Sequence, residues 1–228
     1  MKRYIILIVM VLSTIASGQQ FKVDKVKGKV LVQRGTEEKF TQLKKGDILD
    51  GNDLIITERN SFIQLDKDGN KFILDENSAL GLNYLKKISI NDLLLALAME
   101  EIRNVPKTEN NGIAKNTAVY GEETTVENSI ASGSNSLGTK KINGAKQLAK
   151  NGYTESAIIV AKETYRKYPY TSKNADDRIY FAKLLSSLQL NNEALEEYNA
   201  IIKLNLTNKQ KQKVEQELEK IKLVLISN

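Results

Sequence analysis

Between Phe21 and about Leu85, apolar and polar residues alternate in short runs with the period of β-strands. In KVLVQ, Val30 and Val32 point one way, against Leu31 and Gln33 the other. The runs DLIIT and FIQLD are β-branched or aromatic, and Gly, Asp or Asn bound each of them. FIQLDKDGNKFIL is the clearest local signal. Asp68-Gly69 supplies the two positive φ angles of a type I′ turn, so Ile63 and Leu65 are predicted to face Phe72 and Leu74 across a hairpin. Strands of about five residues with turns every 8–12 indicate an all-β roll, sandwich or β-solenoid.

The period changes at ISINDLLLALAMEEIRNVP. Ser89 and Asp92 make a capping-box-like start, and Ile90, Leu93, Leu94, Leu97 and Ile102 fall mostly on one helical face until Pro106 stops it. This single helix is expected to pack on the β domain. Strand-like alternation returns around residues 117–120 and 124–126, and the Ser/Gly/Asn-rich stretch 128–139 reads as a linker. The remainder is helical. Two segments each give a pair of amphipathic helices, and the second helix of each begins alike, GYTESAIIVAKETY against QLNNEALEEYNAII. Aligning Ala157 with Ala194 sets Ala161 beside Tyr198, a period of 37 that lies near the 34 or so of helix–turn–helix repeats. A last helix carries Val214, Leu218, Ile221 and Leu225 on one stripe, as the capping helix of such a stack would. The fold class is therefore multidomain α+β: an N-terminal all-β domain with one helix (19–127), a linker (128–139) and a C-terminal all-α helical repeat (140–228).

Ahead of these, MKRYIILIVMVLSTIASGQQ has a basic start, a short apolar run and then small residues. It reads as a secretory signal peptide spanning 1–18, cleaved after Gly18. The run is shorter than the 20 or so residues a membrane span needs, and no cysteine follows it for a lipid anchor. The chain is expected to be exported, periplasmic or secreted, without stable membrane insertion after cleavage.

Composition narrows the chemistry. The 228 residues contain no cysteine and no histidine, which excludes disulfides, thiolate nucleophiles, the usual zinc sites and histidine general bases. The net charge is +6, and 28 of the 34 cations are lysine. Arginine is the residue preferred for bidentate phosphate and base recognition, and no cations interleave with stacking aromatics, so nucleic acid is not an expected partner.

LKKGDILDGNDLIIT puts three aspartates and two glycines inside eight residues, and LDKDGNKF follows soon after. An EF-hand loop begun at Asp66 would have Gly69 at position 4 and Asn77 at position 12; begun at Asp47, it would have Leu49 at position 3. Neither fits. G-x-x-x-x-G-K-[ST] and G-x-G-x-x-G are both absent. Asp47, Asp50, Asp53 and Asp66 could neighbour one another as a glycosidase pair requires, but aspartates beside glycine serve mainly as turn-formers through bonds to nearby N–H groups. No catalytic, metal or cofactor site is expected.

Two resemblances follow from ordered motifs. GKVLVQRG (28–35), LKKGDIL (43–49), NSFIQLDKDGN (60–70) and NTAVYGEE (116–123) occur in the order of a FecR-type extracytoplasmic domain, over about 105 residues. That family's common setting is relay from an outer-membrane receptor to a sigma factor. Only MKRY precedes the apolar run here, so a sigma-binding segment is not expected and the anti-sigma role is not carried across. The helical part resembles tetratricopeptide repeats: Gly152, Ala157 and Pro169 match the inter-helix glycine, small residue and terminal proline, and Ala182, Ala194 and Tyr198 match the small, small and aromatic positions. Leu206 replaces the second proline, and Lys141 stands where a large aromatic is usual. This resemblance implies protein binding on a concave face that includes Lys146, Lys150, Ile179 and Lys183. Such a cationic rim would favour an acidic segment on the partner. Together these readings suggest an exported, non-enzymatic adaptor or scaffold that binds protein partners in the periplasm or envelope, with envelope signalling as its expected setting. The alternative is a module that binds peptidoglycan or another cell-wall polysaccharide.

Overall fold

The computed structural model describes residues 19–104 and 134–227. They form two compact units that divide between Asn83 and Tyr84. The first is all β and the second all α, the two-part α+β layout expected. The segment expected to be a signal peptide, the strands expected near 117–126 and the NTAVYGEE motif lie outside the described residues.

The β unit consists of β1 (Gln20–Lys27), β2 (Val30–Gln33), β3 (Phe40–Gln42), β4 (Ile48–Asp50), β5 (Leu54–Thr57), β6 (Phe62–Lys67), β7 (Asn70–Leu74) and β8 (Ser78–Gly81). These make two four-stranded antiparallel sheets, ordered β4-β1-β6-β7 and β3-β2-β5-β8. Burial follows the alternation: Val30 and Val32 of β2 are wholly buried while Leu31 and Gln33 are half-buried. β5 departs from it, with Ile55, Ile56 and Thr57 all buried. The reason is its central place between β2 and β8, where the Thr57 hydroxyl is also taken up by the carbonyls of Asp75 (2.5 Å) and Ser78 (3.2 Å). The β6–β7 hairpin has the predicted register, Ile63 opposite Leu74 and Leu65 opposite Phe72. Asp68 and Gly69 take φ of 54° and 82°, as a type I′ turn requires.

The helical unit contains α1 (Ile90–Asn104), α2 (Ser134–Lys150), α3 (Thr154–Lys167), α4 (Ala175–Ser187), α5 (Asn191–Ile201) and α6 (Asn208–Ser227), with a 3₁₀ turn at Pro169–Lys173. α1 begins with the expected reciprocal cap: the Ser89 hydroxyl accepts from the Asp92 N–H at 3.1 Å, and the Asp92 carboxylate accepts from the Ser89 N–H at 3.2 Å. Its packing differs from expectation. Leu93 and Leu97 join a core with Ile158, Ile179, Leu185, Ala194 and Tyr198, so α1 belongs to the helical unit and not to the β module. The chain before it is tied to the same unit, since the Ser156 hydroxyl donates to the Lys86 carbonyl at 2.9 Å and Tyr84 bonds Glu163. Ile102, counted on the apolar face, is 73% exposed.

α2 begins at Ser134, so residues 134–139 of the expected linker are helical. Gly138, inside that Ser/Gly/Asn-rich stretch, is a packing residue. A Cβ there would meet Tyr168 Cβ at 2.7 Å and crowd Tyr170, so the glycine lets α2 lie close against the 3₁₀ turn.

The period of 37 is visible in the turns as well as in the helices. α2 ends in a Schellman turn, with Tyr153 N–H to Leu148 C=O (3.0 Å) and Gly152 N–H to Ala149 C=O (3.1 Å). α4 ends the same way 37 residues on, with Leu190 N–H to Leu185 C=O (3.1 Å) and Gln189 N–H to Ser186 C=O (3.0 Å). Ala157 and Ala194, like Ala161 and Tyr198, are equivalent and fully buried. The second turn differs in putting Gln189 at φ 62° where the first has glycine at 82°. A left-handed residue with a Cβ costs about 1–2 kcal/mol, part of which glycine returns as unfolded-state entropy. Gln189→Gly should therefore raise stability by roughly 0.5–1 kcal/mol. The measurement is the urea midpoint of tyrosine fluorescence, and an unmoved or lowered midpoint would count against strain at this turn.

Candidate functional site

α3 and α5 each turn a charged face toward one cleft. In α3, Lys162, Tyr165 and Arg166 stand at i, i+3 and i+4; in α5, Glu193, Glu196 and Glu197 repeat that spacing. Leu97, Glu100 and Glu101 of α1 and Arg178 and Leu185 of α4 complete most of the wall of a cleft of about 410 Å³.

Two glutamates in it are buried and doubly clamped. The Glu197 carboxylate, 4% exposed, accepts from Lys162 Nζ at 2.5 Å and from Arg178 Nε at 2.6 Å. Glu100, 7% exposed, accepts from Arg166 Nε at 2.6 Å and Arg103 Nη1 at 2.9 Å. Burial pushes both carboxyls up, and the paired cations more than offset it, holding each below the usual carboxylate range. Both therefore remain charged at neutral pH. The Tyr165 phenol lies at the edge of this network, 6.4 Å from the Phe181 ring in a T-shaped contact. Its hydroxyl is buried with no hydrogen-bond partner among the described residues. Burial, then the nearby Glu197 and Asp177 carboxylates, push it well above the usual tyrosine range, so it stays a neutral phenol.

The four residues placed on the expected binding face do not line this cleft. Ile179 is 1% exposed and lies in the helical core, so it cannot present a surface. Lys146 pairs with Asp177 of α4, and Lys183 pairs with Glu217 of α6 at 3.3 Å. Lys150 is exposed at the last position of α2. The cationic rim is thus largely neutralised by neighbouring helices. The residues that do form the cleft were detectable in principle, since their i, i+3, i+4 grouping gives α3 and α5 facing stripes of opposite sign.

In the β unit, the aspartates are turn-formers. Asp47 accepts from the Lys44 N–H at 2.8 Å, and Asp66 from the Gly69 N–H at 3.1 Å. Asp53, 3% exposed, accepts from the N–H groups of Gly35 (3.1 Å) and Asp50 (3.0 Å) and pairs with Arg34 at 3.5 Å. Asp50 contributes its N–H to that turn. Among the described residues no group of acidic side chains is placed to hold a metal ion, and no helix is long and apolar enough to cross a membrane. Compared with protein-family models, curated proteins and solved structures, the chain matches none of them.

Proposed function

We propose that this chain is an exported, non-enzymatic adaptor of the cell envelope, in which a FecR-like β module carries a tetratricopeptide-like helical module that holds a partner protein. The observation that carries the reading is the cleft of the helical unit. Faces of α1, α3, α4 and α5 converge on it with buried, fixed charges beside apolar Leu97 and Leu185. The 37-residue period supports the repeat, because it governs both the buried positions and the turn geometry. Hydrogen bonding of Asp47, Asp53 and Asp66 to nearby N–H groups removes the support for a carboxylate-only hydrolase in the β module. The signal-like N-terminus supports export, and the order of the FecR-like motifs suggests a role in envelope signalling.

The test is a pull-down from envelope extract, followed by crosslinking and mass spectrometry. Two variants are compared with the parent: Glu193→Lys with Glu196→Lys, and Lys146→Glu with Lys150→Glu and Lys183→Glu. Recovery of the partner should fall with the cleft variant and hold with the lysine variant. The reverse pattern would reject this cleft. Co-sedimentation of the chain with purified peptidoglycan, with no protein captured, would favour the polysaccharide reading instead.

A further inference from the structure

α1 is apolar all round from Leu93 to Met99, and only one side of it is covered. Leu93 and Leu97 point into the helical core, 0% and 8% exposed. On the opposite side Leu95, Met99 and Ile102, at i, i+4 and i+7, are 63%, 45% and 73% exposed, and Ala98 beside them is exposed too. The neighbouring α5 shows what a solvated face of this unit looks like, since its exposed positions are Asn192, Glu196 and Asn199. A helix with apolar residues on every side is normally covered on every side, so the outer stripe of α1 marks an interaction surface.

We propose that this face is covered by α1 of a second copy of the chain, the two helices packing antiparallel about a two-fold axis that passes between their Met99 side chains. The stripe is self-complementary in that arrangement. Centring the pair at Ala98 and Met99 sets Leu95 of one copy level with Ile102 of the other at both ends, while the small Ala98 and the adaptable Met99 meet in the middle. The charges beside the stripe fit the same arrangement. Asp92 and Arg103 lie on one flank of α1, near its opposite ends. A two-fold axis brings that flank against the same flank of the second copy, so each Asp92 comes beside an Arg103. Both groups are free to pair. The Ser89 bonds go to Asp92 Oδ2 alone, and Arg103, held by Glu100 through Nη1, has a side chain 52% exposed. A parallel pair would instead set Asp92 against Asp92 and Arg103 against Arg103, and would align the helix dipoles unfavourably. The stripe offers about 300 Å² of apolar surface per copy, against about 800 Å² per partner in a standard stable interface. The dimer is therefore weak and concentration-dependent.

Sedimentation velocity of the chain expected after signal cleavage, from Gln19 onward, tests this between about 5 and about 500 μM. The sedimentation coefficient should rise with concentration from that of a monomer to that of a dimer. Leu95→Glu with Ile102→Glu should weaken association about tenfold or more at an unchanged urea midpoint, because both side chains are exposed. Leu223→Glu with Ile226→Glu, which alters exposed apolar residues at the end of α6, should leave association unaltered. The geometry is read by oxidative crosslinking, for which the chain has no competing cysteine. Ala98→Cys lies by the axis and should give a covalent dimer. Asn91→Cys, two turns away on the same face, should not, since the two copies of that residue would be about 20 Å apart. A monomer at every concentration overturns the proposal and leaves the face to residues 105–133 of this chain or to a different protein. Association that survives the α1 variant, or that is lost in the α6 variant instead, overturns it in favour of another surface. Crosslinking through Asn91→Cys, or none through Ala98→Cys, overturns the antiparallel pairing. Both measurements read self-association alone, so their outcome is independent of whether the cleft holds a protein.

Discussion

Replacing Glu197 with Gln should destabilise the helical unit by about 3 kcal/mol, the largest effect of any single charge change considered. The side chain is 4% exposed and sits between Lys162 and Arg178, which are themselves 31% and 14% exposed. Removing the anion strands two partly buried cations. Breaking a buried pair from one side costs about 3–5 kcal/mol, and the lower end applies because Lys162 retains some access to water. The Glu197→Gln, Arg178→Met double variant should cost less than the sum of its singles, since no guanidinium is then left without a counter-ion. The pH dependence has a definite sign. Glu197 and Glu100 are both held below the usual value of 4.5, so their stabilisation is complete above about pH 4.5 and is lost as pH falls through the lowered folded values. In Glu197→Gln the Glu197 share of that acid sensitivity disappears. Urea unfolding followed by tyrosine fluorescence reads the correct unit, because the chain has no tryptophan and every described tyrosine lies in the helical unit. A loss under 1 kcal/mol, or an unaltered slope of stability against pH in the acid range, would mean that the network is only a surface feature.

How much of this was legible in the sequence depends on whether the signal was local. The β6–β7 hairpin was, because Asp68-Gly69 dictates the turn and the turn dictates the register. So was the cap of α1, which three or four residues decide. The docking of α1 was not. Its apolar face specifies that it must be covered and says nothing of which surface covers it, and Leu93 and Leu97 chose Ile158 and Ile179 across a long stretch of sequence. The role of Gly138 is hidden for a related reason. Beside Ser134 and Ser136 it has linker composition, and only the approach of Tyr168 and Tyr170 reveals it as a contact. The site was the least legible. The repeat pattern puts Ile179 outside and the fold puts it inside, while Glu100 and Glu197 are charged residues buried by partners on other helices. Burial of a glutamate depends on pairing, and pairing between helices leaves only the weak i, i+3, i+4 grouping in the sequence.

Gly28→Val should cost the β unit about 3 kcal/mol, for two separable reasons. Gly28 sits between β1 and β2 at φ +74°, where any Cβ is strained and a β-branched side chain most of all. A Cβ there would also lie 2.9 Å from the Asn60 carbonyl oxygen and from Ser61 Cβ, closer than packed atoms allow, and would crowd the Ser61 hydroxyl. That serine cannot simply withdraw. It is 3% exposed, and its Oγ accepts from the Lys29 N–H at 2.8 Å while its hydroxyl donates to the Arg59 carbonyl at 3.2 Å. Two motifs distant in sequence, GKV and NSF, are therefore in contact: the glycine that opens one leaves room for the serine of the other. The two costs can be divided with the milder Gly28→Ala. In a Ser61→Gly background its cost should fall, because the side-chain collision is gone, but it should not vanish, because the positive φ and the Asn60 carbonyl remain. The β unit has no described tyrosine, so hydrogen exchange of the β1, β2 and β6 amides is the readout. Protection should drop across all three strands in Gly28→Val, since β1 and β6 pair directly and β2 follows the turn. Undiminished protection in Gly28→Val, or an equal cost of Gly28→Ala with and without Ser61, would show that this contact does not constrain the fold.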